Sequence, residues 1–128
     1  MNNDAPLILV IDDDALLSRS IAEKLTNVGY RVETALNGTD GMKKALELQP
    51  SLIFLDYQMP DMNGMQVLSK IREDEWGAKV EVIFATNTYD MAVINEAMSM
   101  GIHNYILKAE TSLEQIADLA RKYVPLKA

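Results

Sequence analysis

The sequence predicts an α/β fold in which helices cover both faces of a parallel sheet. Short apolar runs of strand length alternate with amphipathic helical segments five times within 128 residues. Two of these runs, Leu7–Ile11 and Leu52–Leu55, are apolar at every position, which is typical of strands buried on both faces. Both runs are followed directly by aspartate, at the sheet edge where open α/β folds bind their ligands. The same pattern therefore predicts both the architecture and the position of a functional site.

The first two units each join a strand to a short helix. After Leu7–Ile11, apolar residues at a spacing of four predict a helix that Gly29 ends; they are Leu17, Ile21 and Leu25. The second strand, Tyr30–Ala35, alternates in polarity and is expected nearer an edge of the sheet. Asn37–Gly38 then forms a turn, and the second helix is predicted at Thr39–Leu48, before Pro50.

The last three units repeat the same order. Their strands are predicted at Leu52–Asp56, Val80–Ala85 and Asn104–Leu107. Their helices are predicted at Gly64–Glu73, at Thr88–Met100, and in a final segment that opens with the capping box Thr111–Glu114. Because crossovers between parallel strands are right-handed, few topologies remain, and we predict the flavodoxin-like (βα)5 sheet with strand order 2-1-3-4-5.

Composition and charge argue against several classes of function. Twelve basic and nineteen acidic residues give a net charge of -7, which disfavours direct nucleic-acid binding and docking on an anionic membrane. The absence of cysteine excludes disulfides and cysteine-based zinc sites, and His103, the single histidine, argues against histidine-dependent catalysis. No apolar run approaches the ~20 residues of a membrane span, and no signal peptide is recognisable. We expect a cytoplasmic protein with one domain over residues 1–128 and a core from about residue 7 to about residue 124.

Polar residues at the carboxyl ends of the central strands form the candidate site. The first strand delivers Asp12 and Asp13, the third Asp56, the fourth Thr86 and the fifth Lys108. In the predicted strand order the first and third strands are neighbours, so three carboxylates converge on one crevice. A hard divalent cation such as Mg²⁺, with Lys108, would balance their charge. Asp56 would then be an ionised nucleophile for a phosphoryl group.

Each of these residues also has a purely structural interpretation. The aspartates of Asp12–Asp14 are good N-cap residues, and for Asp14 a capping role is the better interpretation. Lys108 could be an ordinary surface lysine, and Thr86–Thr88 could simply cap the fourth helix. Taken together these interpretations are weak, because four chance placements would have to coincide at one edge of the sheet.

Four blocks of the sequence resemble the response-regulator receiver domains of two-component signalling, including the single-domain chemotaxis regulators. The resemblance extends from about Leu7 to Tyr123. The matching blocks are Asp12–Asp13, Asp56 with Met59–Gly64, Thr86 after Val82–Ala85, and Gly101–Lys108.

The resemblance implies a phosphoacceptor domain rather than an enzyme. Asp56 would receive the phosphoryl group from a sensor histidine kinase or a histidine phosphotransfer protein. Mg²⁺ would be held by Asp13, by Asp12 partly through water, by Asp56, and by the backbone carbonyl of Gln58. Lys108 would bridge to the phosphoryl oxygens.

The resemblance also implies a switch built on Thr86 and Tyr105. Thr86 would swing to hydrogen-bond the phosphoryl group, and Tyr105 would move inward with it. The surface formed by the fourth helix, the fifth strand and the fifth helix would then change for a downstream partner or output domain. The chain would be a monomer or a weak phosphorylation-dependent dimer. Tyr105 is alternatively an ordinary half-buried strand aromatic.

Two residues depart from the family pattern. Ala109 stands where proline usually follows the lysine, often through a cis peptide; we expect the Lys108–Ala109 bond to be cis so that Lys108 still enters the crevice, although a cis non-proline bond costs ~2.5–4 kcal/mol. Asn87 stands where a small residue is usual, and it is expected to narrow access to Asp56.

Two other functional classes remain open. The first is a phosphorylation-independent interaction module that retains the fold, against which the full set of site residues argues. The second is an aspartyl-phosphate hydrolase, which would need a second aspartate where this chain has Gln58, and a substrate-binding cap segment.

Overall fold

Five parallel strands form one sheet in the computed structural model, which describes residues 4–87 and 89–127. The strands are β1 (Leu7–Ile11), β2 (Arg31–Ala35), β3 (Leu52–Asp56), β4 (Glu81–Thr86) and β5 (Asn104–Leu107). Their order is β2-β1-β3-β4-β5, and every neighbouring pair is parallel. The predicted flavodoxin-like architecture and strand order are therefore confirmed.

Five helices cover the two faces of this sheet. They are α1 (Ala15–Val28), α2 (Gly38–Leu48), α3 (Gly64–Glu73), α4 (Met91–Ser99) and α5 (Leu113–Tyr123). One half of the core packs α2, α3 and α4 on the sheet through Ala45, Leu68 and Ala97. The other half packs α1 and α5 on the opposite face through Leu25 and Ala117.

The uninterrupted apolar runs explain why β1 and β3 occupy the centre of the sheet. Every residue of β3 is buried, and β1 is buried from Ile8 onwards, whereas β2 at the edge alternates between exposed and half-buried positions until Ala35, which is buried. Burying a leucine, isoleucine or phenylalanine side chain contributes about 1.5–3 kcal/mol. The central strands thus hold their carboxyl ends, and the polar residues that follow them, in fixed positions.

Two predicted helix starts are wrong by a short distance. α4 begins at Met91 rather than at Thr88, because Asp90 is its N-cap and accepts a hydrogen bond from the amide of Ala92 at 3.0 Å; Thr88 itself lies outside the described residues. The capping box of α5 is Ser112 with Gln115, one residue later than predicted.

The expectation of a cis bond between Lys108 and Ala109 is also wrong. No cis peptide occurs in residues 4–87 and 89–127, so this bond is trans. The chain enters a single turn of 3₁₀ helix over Lys108–Glu110 directly after β5. The hydroxyl of Thr111 donates to the carbonyl of Leu107 at 2.8 Å and closes this turn. Lys108 therefore reaches the crevice without the strained peptide. Among the described helices, none has both the length and the apolar character to cross a membrane.

Candidate functional site

Three carboxylates meet at the carboxyl edge of β1 and β3. The pairing of Ile11 with Leu55 places Asp12 beside Asp56, and both aspartates are only 3% exposed. Asp13 is exposed at the mouth of the site, and oxygens from all three carboxylates lie within 4.8 Å of one another. Oxygen donors this close together suit a hard divalent cation, so the cluster is consistent with a Mg²⁺ site.

Asp12 is held in place by its own loop. Its amide donates to the carbonyl of Ala35 at 3.0 Å, and its Oδ1 accepts from the amide of Asp14 at 2.9 Å. Asp14 caps α1, since its Oδ1 accepts from the amide of Leu17 at 3.0 Å. The structural role predicted for Asp14 is confirmed, and its carboxylate is turned to the helix rather than to the cluster.

Lys108 supplies a positive charge to the carboxylate cluster. Its Nζ lies 2.7 Å from Asp12 Oδ2 and 3.4 Å from Asp56 Oδ1, and its side chain is 9% exposed. Burial acts to lower the pKa of Lys108, but the hydrogen bond and charge of Asp12, together with Asp56, outweigh burial and raise it. Lys108 therefore stays protonated and cannot be the surface lysine of the structural interpretation.

One ammonium group does not balance three carboxylates. Burial, and after it the charge of Asp12, raise the pKa of Asp56 from 3.8 to about 6, although Lys108 acts in the opposite direction. A divalent cation between Asp13 and Asp56 would remove this excess of negative charge. The donor set and the charge imbalance both fit Mg²⁺.

An open crevice of about 350 Å³ lies over Asp56. Its lining residues are Asp13, Asp14, Asp56, Gln58, Asn87 and Lys108. Gln58 therefore borders the crevice on the side of Asp13, and Asn87 borders it on the side of β4. This arrangement can accommodate a hydrated cation and a tetrahedral anion near the Asp56 carboxylate, and the effect of Asn87 on access stays a prediction.

Thr86 and Tyr105 lie on neighbouring strands beside this crevice. Thr86 ends β4, is 3% exposed and pairs with Leu107 of β5, whereas Tyr105 is half-buried two residues earlier on β5. The ring of Tyr105 meets that of Tyr89 edge-on, with centroids 6.0 Å apart and an interplanar angle of 68°. No sequence pattern indicates this ring pair, because Tyr89 belongs to an irregular connection before α4.

The Tyr89 ring pair leads to a direct prediction for the Tyr105 hydroxyl. The hydrogen bond with Tyr89 is the main cause that raises the pKa of Tyr105 above 10.0, because it holds the proton on the Tyr105 hydroxyl. Tyr89→Phe keeps the ring and removes the hydroxyl, so the pKa of Tyr105 is expected to fall towards its ordinary value. A pH titration of tyrosinate absorbance, with Tyr105→Phe to assign the signal, measures this. Tyr30→Phe is the control, and an unchanged titration of Tyr105 in Tyr89→Phe would contradict the prediction.

Known proteins match the chain over nearly its whole length. A model of the response regulator receiver domain family matches residues 8–120. The chemotaxis protein CheY of Treponema pallidum (strain Nichols) is 36% identical, over 93% of this chain and 86% of the relative. The transcriptional regulator RpaA of Synechocystis sp. is 32% identical over 91% of this chain, which spans 50% of RpaA.

Solved structures share this fold over nearly the whole chain. The chemotaxis protein CheY4 of Vibrio cholerae superposes with a TM-score of 0.86 at 21% identity, covering 94% of this chain and 99% of that protein. The residues that the family model matches include the ends of β1 and β3 and the turn at Lys108 that build the crevice. The chain therefore belongs to the response regulator receiver domain family.

Proposed function

We propose that this receiver domain accepts a phosphoryl group on Asp56 and thereby changes a surface that a partner protein recognises. The donor would be the phosphohistidine of a sensor histidine kinase or of a histidine phosphotransfer protein. The observation that carries the proposal is the meeting of Asp13, Asp56 and Lys108 in one open crevice, with buried Asp12 in contact with Lys108.

Each residue of the crevice has a distinct part in the transfer. An oxygen of Asp56 attacks the phosphorus, the new P–O bond forms, and the P–N bond breaks with its electron pair left on the histidine nitrogen. Asp13, Asp56 and the carbonyl of Gln58 would hold Mg²⁺, with Asp12 contributing partly through water. When bound, Mg²⁺ supplies charge neutralisation for the phosphoryl oxygens. Lys108 would contact those oxygens after releasing part of its contact with Asp12.

The switch follows from what the phosphoryl group adds. It brings roughly 1.5 to 2 negative charges and three strong acceptors to the position of Asp56. The phosphoryl oxygens are available to Thr86, at the end of the adjacent strand, only in that state, so phosphorylation favours a conformation with Thr86 turned to the crevice. Tyr105 then occupies the space beside Thr86 and leaves Tyr89.

The surface that would change is formed by α4, β5 and α5. Receiver domains interact with histidine kinases and with output or effector partners, and the exposed apolar side chains near α4 suit a protein contact. These side chains are Tyr89 (62% exposed), Met91 (50%) and Met98 (46%). Such adaptable, partly exposed methionines are common at binding surfaces.

A titration with beryllofluoride and Mg²⁺, followed by amide NMR, tests the proposal. Beryllofluoride on a carboxylate stands in for a phosphoryl group. The native chain is expected to shift at Thr86, along α4 and at Tyr105, and Asp56→Ala is expected to show none of these shifts. A native chain that binds neither Mg²⁺ nor beryllofluoride would overturn the proposal in favour of a phosphorylation-independent interaction module.

A further inference from the structure

The connection from β3 to α3, residues 57–63, is fastened to the start of α2 by Asp61. Asp61 Oδ1 accepts from the amide of Gly38 at 3.0 Å and from the amide of Met62 at 2.9 Å. Its Oδ2 accepts from the amide of Thr39 at 3.0 Å and from the Thr39 hydroxyl at 2.5 Å. The hydrogen bonds from Thr39 and Gly38 hold the pKa of this exposed carboxyl well below its usual range. The carboxylate thus bridges two segments that are more than twenty residues apart in sequence.

Asp61 is not needed simply to cap α2, because α2 has its own N-cap. The side chain of Asn37 accepts from the amide of Asp40 at 2.8 Å, as an N-cap residue does. The two caps take different amides, since Asn37 binds that of Asp40 while Asp61 binds those of Gly38 and Thr39. The contact made by Asp61 is therefore the one that joins α2 to another part of the chain.

Close packing reinforces this junction. A Cβ on Gly38 would lie 2.5 Å from the carbonyl oxygen of Met62, so only glycine lets α2 approach the connection this closely. At its far end the connection is closed by a hydrogen bond of 2.7 Å from the amide of Gly64 to the carbonyl of Tyr57. Both Gln58 and Asp61 lie within the segment that this hydrogen bond closes.

The fastened segment forms one wall of the site. Gln58 lines the crevice with Asp13 and Asp56, and Tyr57, Met59, Pro60 and Asn63 form with Asp13 an adjoining surface depression. A shift of this segment would displace the Gln58 backbone while leaving Asp12, Asp13 and Lys108 in place, because those three residues follow other strands.

We propose that Asp61 is a positioning residue for the divalent cation, because it fastens the β3–α3 connection to α2 and so fixes the backbone of Gln58 at the crevice that Asp13 and Asp56 line. The inference rests on the proposed function, and it adds a residue that touches neither the cation nor the phosphoryl group. Its contribution is to the affinity for Mg²⁺ rather than to the chemistry at Asp56.

Isothermal titration calorimetry with MgCl₂ on the native chain and two variants measures this contribution. Asp61→Asn removes one acceptor oxygen and the charge, and Thr39→Val removes the hydroxyl donor from the other side without changing any charge. Supporting residues of this kind change metal affinity by about tenfold or more, so Asp61→Asn is expected to raise the Kd for Mg²⁺ about tenfold. Thr39→Val should raise it in the same direction by less, and the double variant should be little worse than Asp61→Asn alone.

A second readout needs no metal. Amide hydrogen exchange in the metal-free protein is expected to quicken at Gly64, whose amide closes the connection on the carbonyl of Tyr57, in both variants, and to stay native at Asp12, whose amide is bonded to Ala35. Asn37→Ala is the matched control, since it weakens the start of α2 without touching the connection. This control should lower the melting temperature and leave both the Mg²⁺ affinity and the exchange at Gly64 unchanged.

Three results would each overturn the inference. The first is native Mg²⁺ affinity in Asp61→Asn and Thr39→Val, and the second is an equal loss of affinity in Asn37→Ala. If the native chain binds Mg²⁺, either of these two results would remove only the role of Asp61 and would leave the proposed function unaffected. The third is a native chain that binds no Mg²⁺, which would overturn the proposed function as well.

Discussion

Replacement of Asp56 by asparagine is expected to raise the free energy of unfolding of the metal-free protein by about 2 kcal/mol at neutral pH, while abolishing the response to beryllofluoride. Asp56 is buried beside Asp12, and burial is the main cause that raises its pKa from 3.8 to about 6. One pKa unit corresponds to ~1.36 kcal/mol, so ionised Asp56 destabilises the native state by roughly 3 kcal/mol. Asparagine removes the charge but also weakens the contact with Lys108, which reduces the expected gain.

The sign of this effect depends on pH in a defined way. The pKa of Asp56 is higher in the folded than in the unfolded chain, so below about pH 4 the carboxyl is protonated in both states and contributes nothing. As the pH rises from about 4 to about 6, the unfolded chain ionises first and the native state loses stability. Above that range the loss is complete, and it is there that asparagine should stabilise most.

Urea unfolding in the presence of EDTA, at about pH 4 and about pH 7, measures the difference. Asp56→Asn is expected to flatten the fall in stability between the two pH values. Asp13→Asn is the control, because Asp13 is exposed and its neutralisation should change stability much less. The prediction is wrong if Asp56→Asn is less stable than the native chain at neutral pH or keeps the native pH dependence.

Because Asp56→Asn is expected to raise the free energy of unfolding, the charge that the site needs for its function lowers the stability of the metal-free protein. Buried like charges are maintained only when a ligand or partner makes use of them, and ligand binding to the native state restores the lost stability by mass action. MgCl₂ should therefore stabilise the native chain and have a smaller effect on Asp56→Asn. Lys108 reduces the repulsion between Asp12 and Asp56, since its Nζ lies 2.7 Å from Asp12 Oδ2 and 3.4 Å from Asp56 Oδ1. The pKa of Asp56 is raised in spite of these contacts.

The parts of the fold that the sequence could predict are those fixed by local pattern. Apolar runs determine β1 and β3, and the residues that directly follow a strand reach the same edge of the sheet. Asp12, Asp56 and Lys108 were therefore predicted to converge, as they do in the structure. The roles assigned to these residues stay predictions.

The errors arose where two local signals competed or where a distant contact decided. Thr111 with Glu114 and Ser112 with Gln115 both fit a capping box, and only tertiary packing selects the second pair. The N-cap of α4 is Asp90 rather than an earlier threonine. Asp61 had no local signal at all, because its partners Gly38 and Thr39 belong to a helix that precedes it by more than twenty residues.

Gly64→Ala is expected to lower the free energy of unfolding by about 2–3 kcal/mol, because a methyl group at this position has no space. A Cβ on Gly64 would collide with the carbonyl oxygen of Asp56 and lie 2.9 Å from the Cα of Tyr57 and 3.0 Å from the ring of Phe84. Two of these atoms are backbone, and Phe84 is 1% exposed, so none of them can yield easily. Since the displaced atoms flank the phosphoacceptor itself, the same substitution should weaken the response to beryllofluoride.

Gly101→Ala separates this spatial requirement from the general effect of replacing a glycine. Gly101 has a φ of 87°, and its nearest neighbouring atom is 3.6 Å away in Arg72, so alanine there strains the backbone by about 1 kcal/mol but meets no obstacle. Gly64 has no positive φ, and any loss of stability there must come from the collision. Urea unfolding should therefore show the larger loss in Gly64→Ala, and only this variant should respond weakly to beryllofluoride. Equal losses in the two variants would mean that the β3–α3 connection can move away from Asp56, which the close approach of Gly64 to the Asp56 backbone argues against.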